Sequence, residues 1–190
     1  SRGLGDVYKR QLNGTSREYN ESVMAIGKAM GIDWVELKDW NCCGATAAHS
    51  MNKELSLALP TRILALAEKQ GFQEIVVPCA SCYNRLSVAQ YELEKDETLK
   101  DDVLTVVGLP YLGTVKVLNV IQFIEKYIMD ILPDKIINPF THQVACYYGC
   151  LLLRPHKILK FDRLEDPQSM DKIMSVLGAT HLNLYLIHIS

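Results

Sequence analysis

The residues best suited to chemistry in this sequence are its six cysteines. Four of them form two groups: the adjacent pair Cys42 and Cys43, followed by Gly44, and the C-x-x-C of Cys79 and Cys82. Thiolates are soft, charged ligands for iron and zinc, and they are also redox-active. Because no secretory signal is visible, the cysteines predict metal or redox chemistry rather than disulfides.

The spacing of the two groups favours a cluster of several metal ions. A C-x-x-C places two sulfur atoms on one side of a turn, and a following helix stabilises their negative charge. Adjacent cysteines in a loop can converge, or each can contact a different metal ion of a cluster. The second arrangement favours a multi-iron cluster over a single ion.

Three other interpretations of the cysteines stay open from the residues alone. Four cysteines satisfy a tetrahedral structural zinc ion, although zinc sites more often use two spaced C-x-x-C pairs. Cys79 and Cys82 could instead form a thioredoxin-like dithiol, which leaves Cys42 and Cys43 unexplained. The cysteines could also be structural residues of a buried core.

Composition and charge exclude some classes of partner. Hydrophobic residues make up 48% of the sequence, enough for a sizeable core, and the net charge of -2 argues against nucleic acid as the main partner. No apolar run approaches the roughly 20 residues that span a bilayer. We therefore expect a cytoplasmic protein without a transmembrane segment.

Strand and helix patterns alternate along the chain, which predicts a layered α/β fold. The predicted strands span Asp33–Leu37, Glu74–Pro78, Thr114–Leu118 and Gln143–Cys146, and the predicted helices span Arg17–Met30, Asn52–Gln70, Cys82–Lys95 and Asn119–Ile131. Pro60 is expected to bend or break the second helix. The charged stretch Glu94–Asp102 is expected to be a solvated face or loop. A last helix is predicted with Asp166 as its cap and Pro167 at its first position.

Both ends of the sequence are expected to lie outside the native fold. Residues 1–11, SRGLGDVYKRQ, match the translation of a common sequencing adapter, and residues 186–190, LIHIS, resemble its reverse complement. We therefore leave both ends out of the fold prediction. The remaining sequence divides into a first domain, 12–138, and the start of a second similar domain, 139–185, with the boundary in the linker Pro133–Pro139.

The motifs of the first half resemble the cysteine-rich CCG domain of the heterodisulfide reductase B subunit and its relatives. The resemblance rests on Asp39–Gly44 (DWNCCG), Val77–Cys82 (VPCASC) and Gly14–Tyr19 (GTSREY). The family pattern also contains an earlier cysteine, which by spacing would fall near Arg10. That cysteine is absent here, and we interpret the absence as truncation.

The second half resembles the start of a second CCG domain. The segments that carry this resemblance are Ala145–Cys150, Leu153–Pro155 and Asp162–Pro167. Cys150 is expected to be the first ligand of the second site, and Cys146 is treated as structural.

The resemblance implies a cofactor, a reaction and partners. Each complete CCG domain would hold a non-cubane [4Fe-4S] cluster, and two clusters would face a disulfide substrate such as CoM-S-S-CoB, the substrate in methanogens. The implied ligands are Cys42, Cys43, Cys79, Cys82 and Cys150. The implied partners are an iron–sulfur C subunit and a flavin-bearing A subunit of the same complex.

Two further functions remain as alternatives to disulfide reduction. The chain could belong to an electron-transfer subunit of a lactate, glycolate or glycerol-phosphate oxidoreductase, since CCG domains also occur there. It could also be a zinc-binding structural module. Because the first site lacks one ligand and the second lacks most, we expect the chain by itself to be inactive.

Overall fold

The computed structural model describes residues 4–6, 17–45 and 52–182 of the chain. These residues divide into two compact units, the first ending at Asn119 and the second beginning at Val120. The described residues combine helices with parallel strands, so the predicted α/β class is confirmed. Within the same residues, no helix combines the length and the apolar character needed to cross a membrane.

The first unit consists of parallel strands separated by helices. In chain order its elements are β1 (Leu4–Asp6), α1 (Arg17–Ala29), β2 (Trp34–Glu36), α2 (Lys53–Lys69), β3 (Glu74–Val76), α3 (Ala80–Lys95), α4 (Glu97–Val107) and β4 (Lys116–Leu118). The predicted strands and helices of this unit are all present, with bounds that differ by a few residues at most. The charged stretch that was expected to be a solvated face or loop carries the first turns of α4.

The four strands form one parallel sheet in the order β2-β1-β3-β4. Gly5 pairs with Val35 of β2 on one side and with Ile75 of β3 on the other. Val117 of β4 pairs with Ile75 from the outer side. The chain thus moves from β1 to one neighbour and then crosses to the opposite side, which creates a switch point between β1 and β3.

The exclusion of residues 1–11 from the fold was wrong for Leu4–Asp6. This segment is the strand that joins β2 to β3, so the sheet depends on its backbone hydrogen bonds. A strand of three residues gives too weak a periodic signal to be recognised in a segment set aside for its match to an adapter. The other residues attributed to an adapter lie outside the described residues.

The core of the first unit lies around β3. Ile75, Val76 and Val77 are almost completely buried, as are Ile63 and Leu64 of α2. A strand covered on both faces is expected to be a continuous apolar run, and this sequence fits that rule. Burial on both faces fixes the position at which the chain leaves β3 and enters the C-x-x-C motif.

The helix α2 begins and continues as its sequence indicates, with one exception. The side chain of Asn52 caps it by accepting a hydrogen bond from the Leu55 amide at 3.1 Å. The helix then continues without a break through Pro60, which is buried. Pro60 therefore does not break the helix, because packing of this buried helix outweighs the loss of one backbone hydrogen bond.

The second unit is smaller and contains shorter elements. They are α5 (Val120–Tyr127), a 3-10 turn (Pro133–Lys135), β5 (Gln143–Val144), α6 (Cys150–Leu153), α7 (His156–Leu159), α8 (Ser169–Val176) and β6 (Thr180–His181). The strands β5 and β6 pair in parallel.

The predicted start of the last helix was wrong by two residues. Ser169 is its first residue, and Asp162 rather than Asp166 supplies the acceptor. The carboxylate of Asp162 accepts from the amides of Gln168 at 2.8 Å and Ser169 at 2.7 Å. Burial acts to raise the pKa of Asp162, but backbone hydrogen bonds from Ser169, Arg163 and Gln168 lower it below its usual value.

The contact between α1 and β2 gives a stability prediction. A Cβ atom added at Gly27 would lie 2.7 Å from Cδ1 and 2.8 Å from Cε2 of the Trp34 ring. Gly→Ala in a helix ordinarily stabilises by roughly 0.5–1 kcal/mol. Here the steric conflict reverses the sign, so Gly27→Ala should lower the free energy of unfolding by about 1–2 kcal/mol in urea titrations.

The control for this prediction is Lys28→Ala, an exposed position in the same helix. It should change the free energy of unfolding by no more than about 0.5 kcal/mol. A Gly27→Ala protein as stable as the parent would contradict the described packing of Trp34.

Candidate metal centre

The two cysteine groups lie in loops that leave the same edge of the sheet. The adjacent pair Cys42 and Cys43 follows β2, and Cys79 follows β3. Because β2, β1 and β3 are parallel, their carboxyl ends meet at one edge, next to the switch point. Parallel α/β sheets bind their ligands at this position.

Two thiols from different loops are in direct contact. The Sγ atom of Cys82 lies 3.1 Å from the Sγ atom of Cys43, although the two residues are 39 positions apart in the sequence. Both side chains are almost fully buried, with 1% of Cys43 and 3% of Cys82 exposed. Cys79, which is half-buried, also hydrogen bonds to the Cys82 thiol. Three of the predicted ligands therefore converge.

The start of α3 positions the C-x-x-C motif. Cys79 is the N-cap residue of this helix, and Cys82 lies in its first turn. The Cys79 carbonyl accepts a hydrogen bond from the Tyr83 amide at 2.9 Å, which closes that turn. The free amides and the positive end of the helix dipole at this position favour negative charge on sulfur.

Without a metal ion, the buried thiols favour their protonated form. Hydrogen bonds with Cys43 and Cys79, followed by burial, raise the pKa of Cys82 far above its ordinary value. Arg85, on α3, is the nearby positive group: partial burial lowers its pKa, while attraction to the Cys43 thiolate acts to raise it. Ionisation of Cys82 is therefore unfavourable unless a cation binds beside it.

Cys42 and Cys43 differ in their exposure to solvent. Cys43 belongs to the thiol cluster formed by Cys43, Cys79 and Cys82, whereas Cys42 is exposed. The turn after them has Gly44 at a φ of 72°, a left-handed conformation that favours glycine. This explains why the adjacent cysteines are followed by glycine, and it leaves one sulfur of the pair accessible from solvent.

The structure contains a polar network around this loop that the sequence did not reveal. Arg62 of α2 donates to the backbone carbonyl of Asp39 and to the side chain of Asn41, and it pairs with the Asp39 carboxylate. Asn41 in turn donates to the carbonyl oxygen of Cys42. Asn41 is within the recognised motif, but no sequence pattern connects it to Arg62.

The remaining cysteines belong to the second unit. Cys150 is the first residue of the short helix α6 and is exposed. Cys146 is half-buried, and burial, followed by Asp171, raises its pKa to about 11. The assignment of Cys150 as a ligand stays a prediction.

The donor set of the candidate centre fits a sulfur-ligated metal group. The candidate ligands that meet there are thiols, and thiolates select zinc or iron–sulfur clusters over hard cations. Within residues 4–6, 17–45 and 52–182, no three or more His, Cys, Asp and Glu side chains are spaced to hold one metal ion. Cys82 contacts both Cys43 and Cys79 through thiol hydrogen bonds.

Residues 8–87 match the family model of the cysteine-rich domain CCG. These residues are a CCG cysteine-rich domain. The match includes Cys42, Cys43, Cys79 and Cys82, so the resemblance inferred from the motifs is confirmed. The CCG domain lies within the first compact unit, whose sheet edge carries the thiol cluster.

Three relatives of known name are similar to the chain over most of its length. The B subunit of the ferredoxin/F(420)H(2)-dependent CoB-CoM heterodisulfide reductase of Methanosarcina acetivorans is 33% identical over 78% of the chain and 51% of the relative. The B subunit of the ferredoxin:CoB-CoM heterodisulfide reductase of Methanosarcina mazei is 31% identical over the same shares.

The third relative carries a different name. The 8-methylmenaquinol:fumarate reductase membrane anchor subunit of Wolinella succinogenes is 32% identical over 85% of the chain and 57% of the relative. The chain thus spans about half the length of the relatives that it matches. All three relatives are named as reductase subunits.

The different burial of the cysteines predicts the order in which they react with an alkylating reagent. In the reduced, metal-free protein, iodoacetamide should modify the exposed cysteines Cys42 and Cys150 first. The rate of modification of Cys43 and Cys82 should be lower by a factor of roughly ten or more. Each unit by which the Cys82 pKa is raised lowers its thiolate fraction about tenfold at a given pH below the pKa. Peptide mass spectrometry over a time course measures each rate.

Alkylation in denaturant is the control, because unfolding should bring all six cysteines to similar rates. Modification of Cys43 as fast as Cys42 in the folded protein would contradict the described burial.

Proposed function

We propose that the CCG domain holds a non-cubane [4Fe-4S] cluster through Cys42, Cys43, Cys79 and Cys82. We further propose that the chain is part of the catalytic subunit of a heterodisulfide reductase-type complex. The observation that carries both proposals is the convergence of three thiols from two loops at one edge of a parallel sheet.

The residues around the thiols support a redox centre rather than a surface metal site. Burial of Cys43 and Cys82 excludes water from one side, while exposed Cys42 keeps the other side open to a substrate. Arg85 and the start of α3 supply positive charge that offsets the thiolates. When bound, the cluster supplies the electron transfer by which a disulfide such as CoM-S-S-CoB is reduced to two thiols.

The names of the relatives support the proposed substrate. Two of them are named as the B subunit of a heterodisulfide reductase, which supports a disulfide substrate. An iron–sulfur C subunit and a flavin-bearing A subunit are the proposed partners, and Cys150 is proposed as the first ligand of a second cluster. A cytoplasmic location stays a prediction.

Anaerobic reconstitution with iron and sulfide tests the cofactor. The experiment uses the chain itself and an Arg10→Cys variant, which places a cysteine where the family spacing expects one. We predict about four iron and four sulfide per chain in the Arg10→Cys protein, and an EPR signal after one-electron reduction or oxidation. Cys42→Ser should lose most of the iron, and because Cys42 is exposed, core packing cannot explain the loss.

Cys146→Ser is the matched control, since this half-buried cysteine lies outside the proposed ligand set. It should retain the iron and the EPR signal of its parent. Stoichiometric zinc without iron would overturn the cluster and make the domain a structural metal site. Iron retained by Cys42→Ser would overturn the ligand assignment.

A second function, that of an electron-transfer subunit in another oxidoreductase, is favoured by one relative. The Wolinella succinogenes protein is named as a subunit of a menaquinol:fumarate reductase rather than of a heterodisulfide reductase. In that case the domain would hold its cluster to pass electrons, and no disulfide would bind beside it.

A spectroscopic titration separates the two functions. A disulfide that reaches the open side of the centre, at Cys42, should change the EPR spectrum of the loaded protein. We predict that CoM-S-S-CoB changes the spectrum in a saturable way and that the corresponding thioether, which lacks a cleavable S–S bond, does not. A spectrum unaffected by any disulfide would support the electron-transfer function instead.

A further inference from the structure

One side chain of the neighbouring helix α2, that of Arg62, makes three polar contacts with the loop that carries Cys42 and Cys43. Nη1 of Arg62 donates to the Asp39 carbonyl oxygen at 2.8 Å and to Oδ1 of Asn41 at 3.0 Å. Nη2 of Arg62 pairs with Oδ2 of Asp39 at 2.6 Å. The planar guanidinium thus connects the two polar side chains that precede the cysteines to the rigid helix α2.

Asn41 transmits this restraint to the backbone of the cysteine pair. Because its Oδ1 atom accepts from Arg62, its amide nitrogen must face the opposite way. That nitrogen donates to the carbonyl oxygen of Cys42 at 2.9 Å and to the carbonyl oxygen of Leu59 at 3.0 Å. The peptide group between Cys42 and Cys43 is therefore fixed to α2 through a chain of two side chains.

The backbone conformation of the loop shows why such a restraint is needed. Asp39 has a φ of 61°, which is uncommon for a residue with a side chain. Both its carboxylate and its carbonyl oxygen are bound by Arg62. The surrounding contacts thereby hold a conformation that a free loop would populate weakly.

We propose that Arg62 is a positioning residue for the Cys42–Cys43 ligand pair and acts through Asn41. This inference rests on the proposed function. Arginine is needed because its fork-shaped group makes three directed contacts at once, whereas a lysine ammonium cannot reach both Asp39 and Asn41 in that geometry. Groups that orient metal ligands without binding the metal influence how tightly the metal is held.

The test compares the Arg62→Lys and Asn41→Asp variants with the iron-loaded parent protein. The parent is either the chain itself or its Arg10→Cys variant. Asn41→Asp keeps an acceptor for Arg62 but removes the donor to Cys42 and Leu59. For both variants we predict that a chelator strips iron about tenfold faster than from the parent. We also predict an EPR line shape, normalised per iron, that differs from that of the parent.

Two controls separate positioning from general stability. Arg17→Lys changes an exposed arginine that pairs with Glu21, at 2.8 Å on the same helix. Glu68→Gln weakens contacts at the far end of α2, where Glu68 accepts from the amides of Leu112 and Thr114 at 2.7 and 2.6 Å. Both controls should retain the EPR line shape of the parent, even where Glu68→Gln lowers the unfolding temperature.

The outcomes distinguish this inference from the proposed function. The positioning role would be overturned if both Arg62→Lys and Asn41→Asp lost iron at the rate of the parent and kept its EPR line shape. The cluster proposal would then remain intact. A line-shape change of equal size in Glu68→Gln would also overturn it, because instability alone would then explain the result. No iron in either parent would overturn the proposed function, and this inference with it.

Discussion

Parallel pairing of β2, β1 and β3 is the constraint on which the rest of the first unit depends. Because the three strands run in one direction, the loop after β2 and the turn after β3 leave the sheet at the same edge. If β2 ran antiparallel, the adjacent cysteines and the C-x-x-C would lie at opposite ends of the sheet. The 3.1 Å contact between Cys43 and Cys82 is thus a consequence of sheet topology. The buried core around Ile75 keeps that topology fixed.

The second determinant of the site is the free-energy cost of ionising thiols that are buried close together. Hydrogen bonds with Cys43 and Cys79, together with burial, raise the pKa of Cys82 and so favour its protonated form. A metal group must therefore displace protons when it binds, so its affinity falls as pH falls. The start of α3 and Arg85 reduce this cost by placing positive charge beside the sulfur atoms. The CCG domain thus combines the buried cysteines Cys43 and Cys82 with the exposed Cys42.

Much of this arrangement could be predicted from the sequence. The periodic apolar residues of α2 and the β-branched run of β3 located both elements within one or two residues. The cysteine motifs led to the correct family, and they identified the two segments from which Cys43, Cys79 and Cys82 come together. These successes share a cause, since each signal lies within a short segment of the chain.

The failures concern interactions that are not local in sequence or that have no periodic signal. Leu4–Asp6 is too short to be recognised, and its role as the strand between β2 and β3 comes only from its neighbours. Asp162 caps a helix that starts seven residues later, which no capping rule for adjacent residues anticipates. Arg62 resembles any polar residue on a helix until the fold brings it against Asp39 and Asn41. Tertiary contact, rather than propensity, decides each of these cases.

The claim at the centre of this account is that the thiols of two loops hold one iron–sulfur group. Crystals of the reconstituted protein, measured above and below the iron absorption edge, test that claim directly. The account predicts strong iron peaks within bonding distance of the Sγ atoms of Cys43, Cys79 and Cys82, with Cys42 at the rim of the same group. A single zinc peak at these thiols, or iron located away from them, would contradict it.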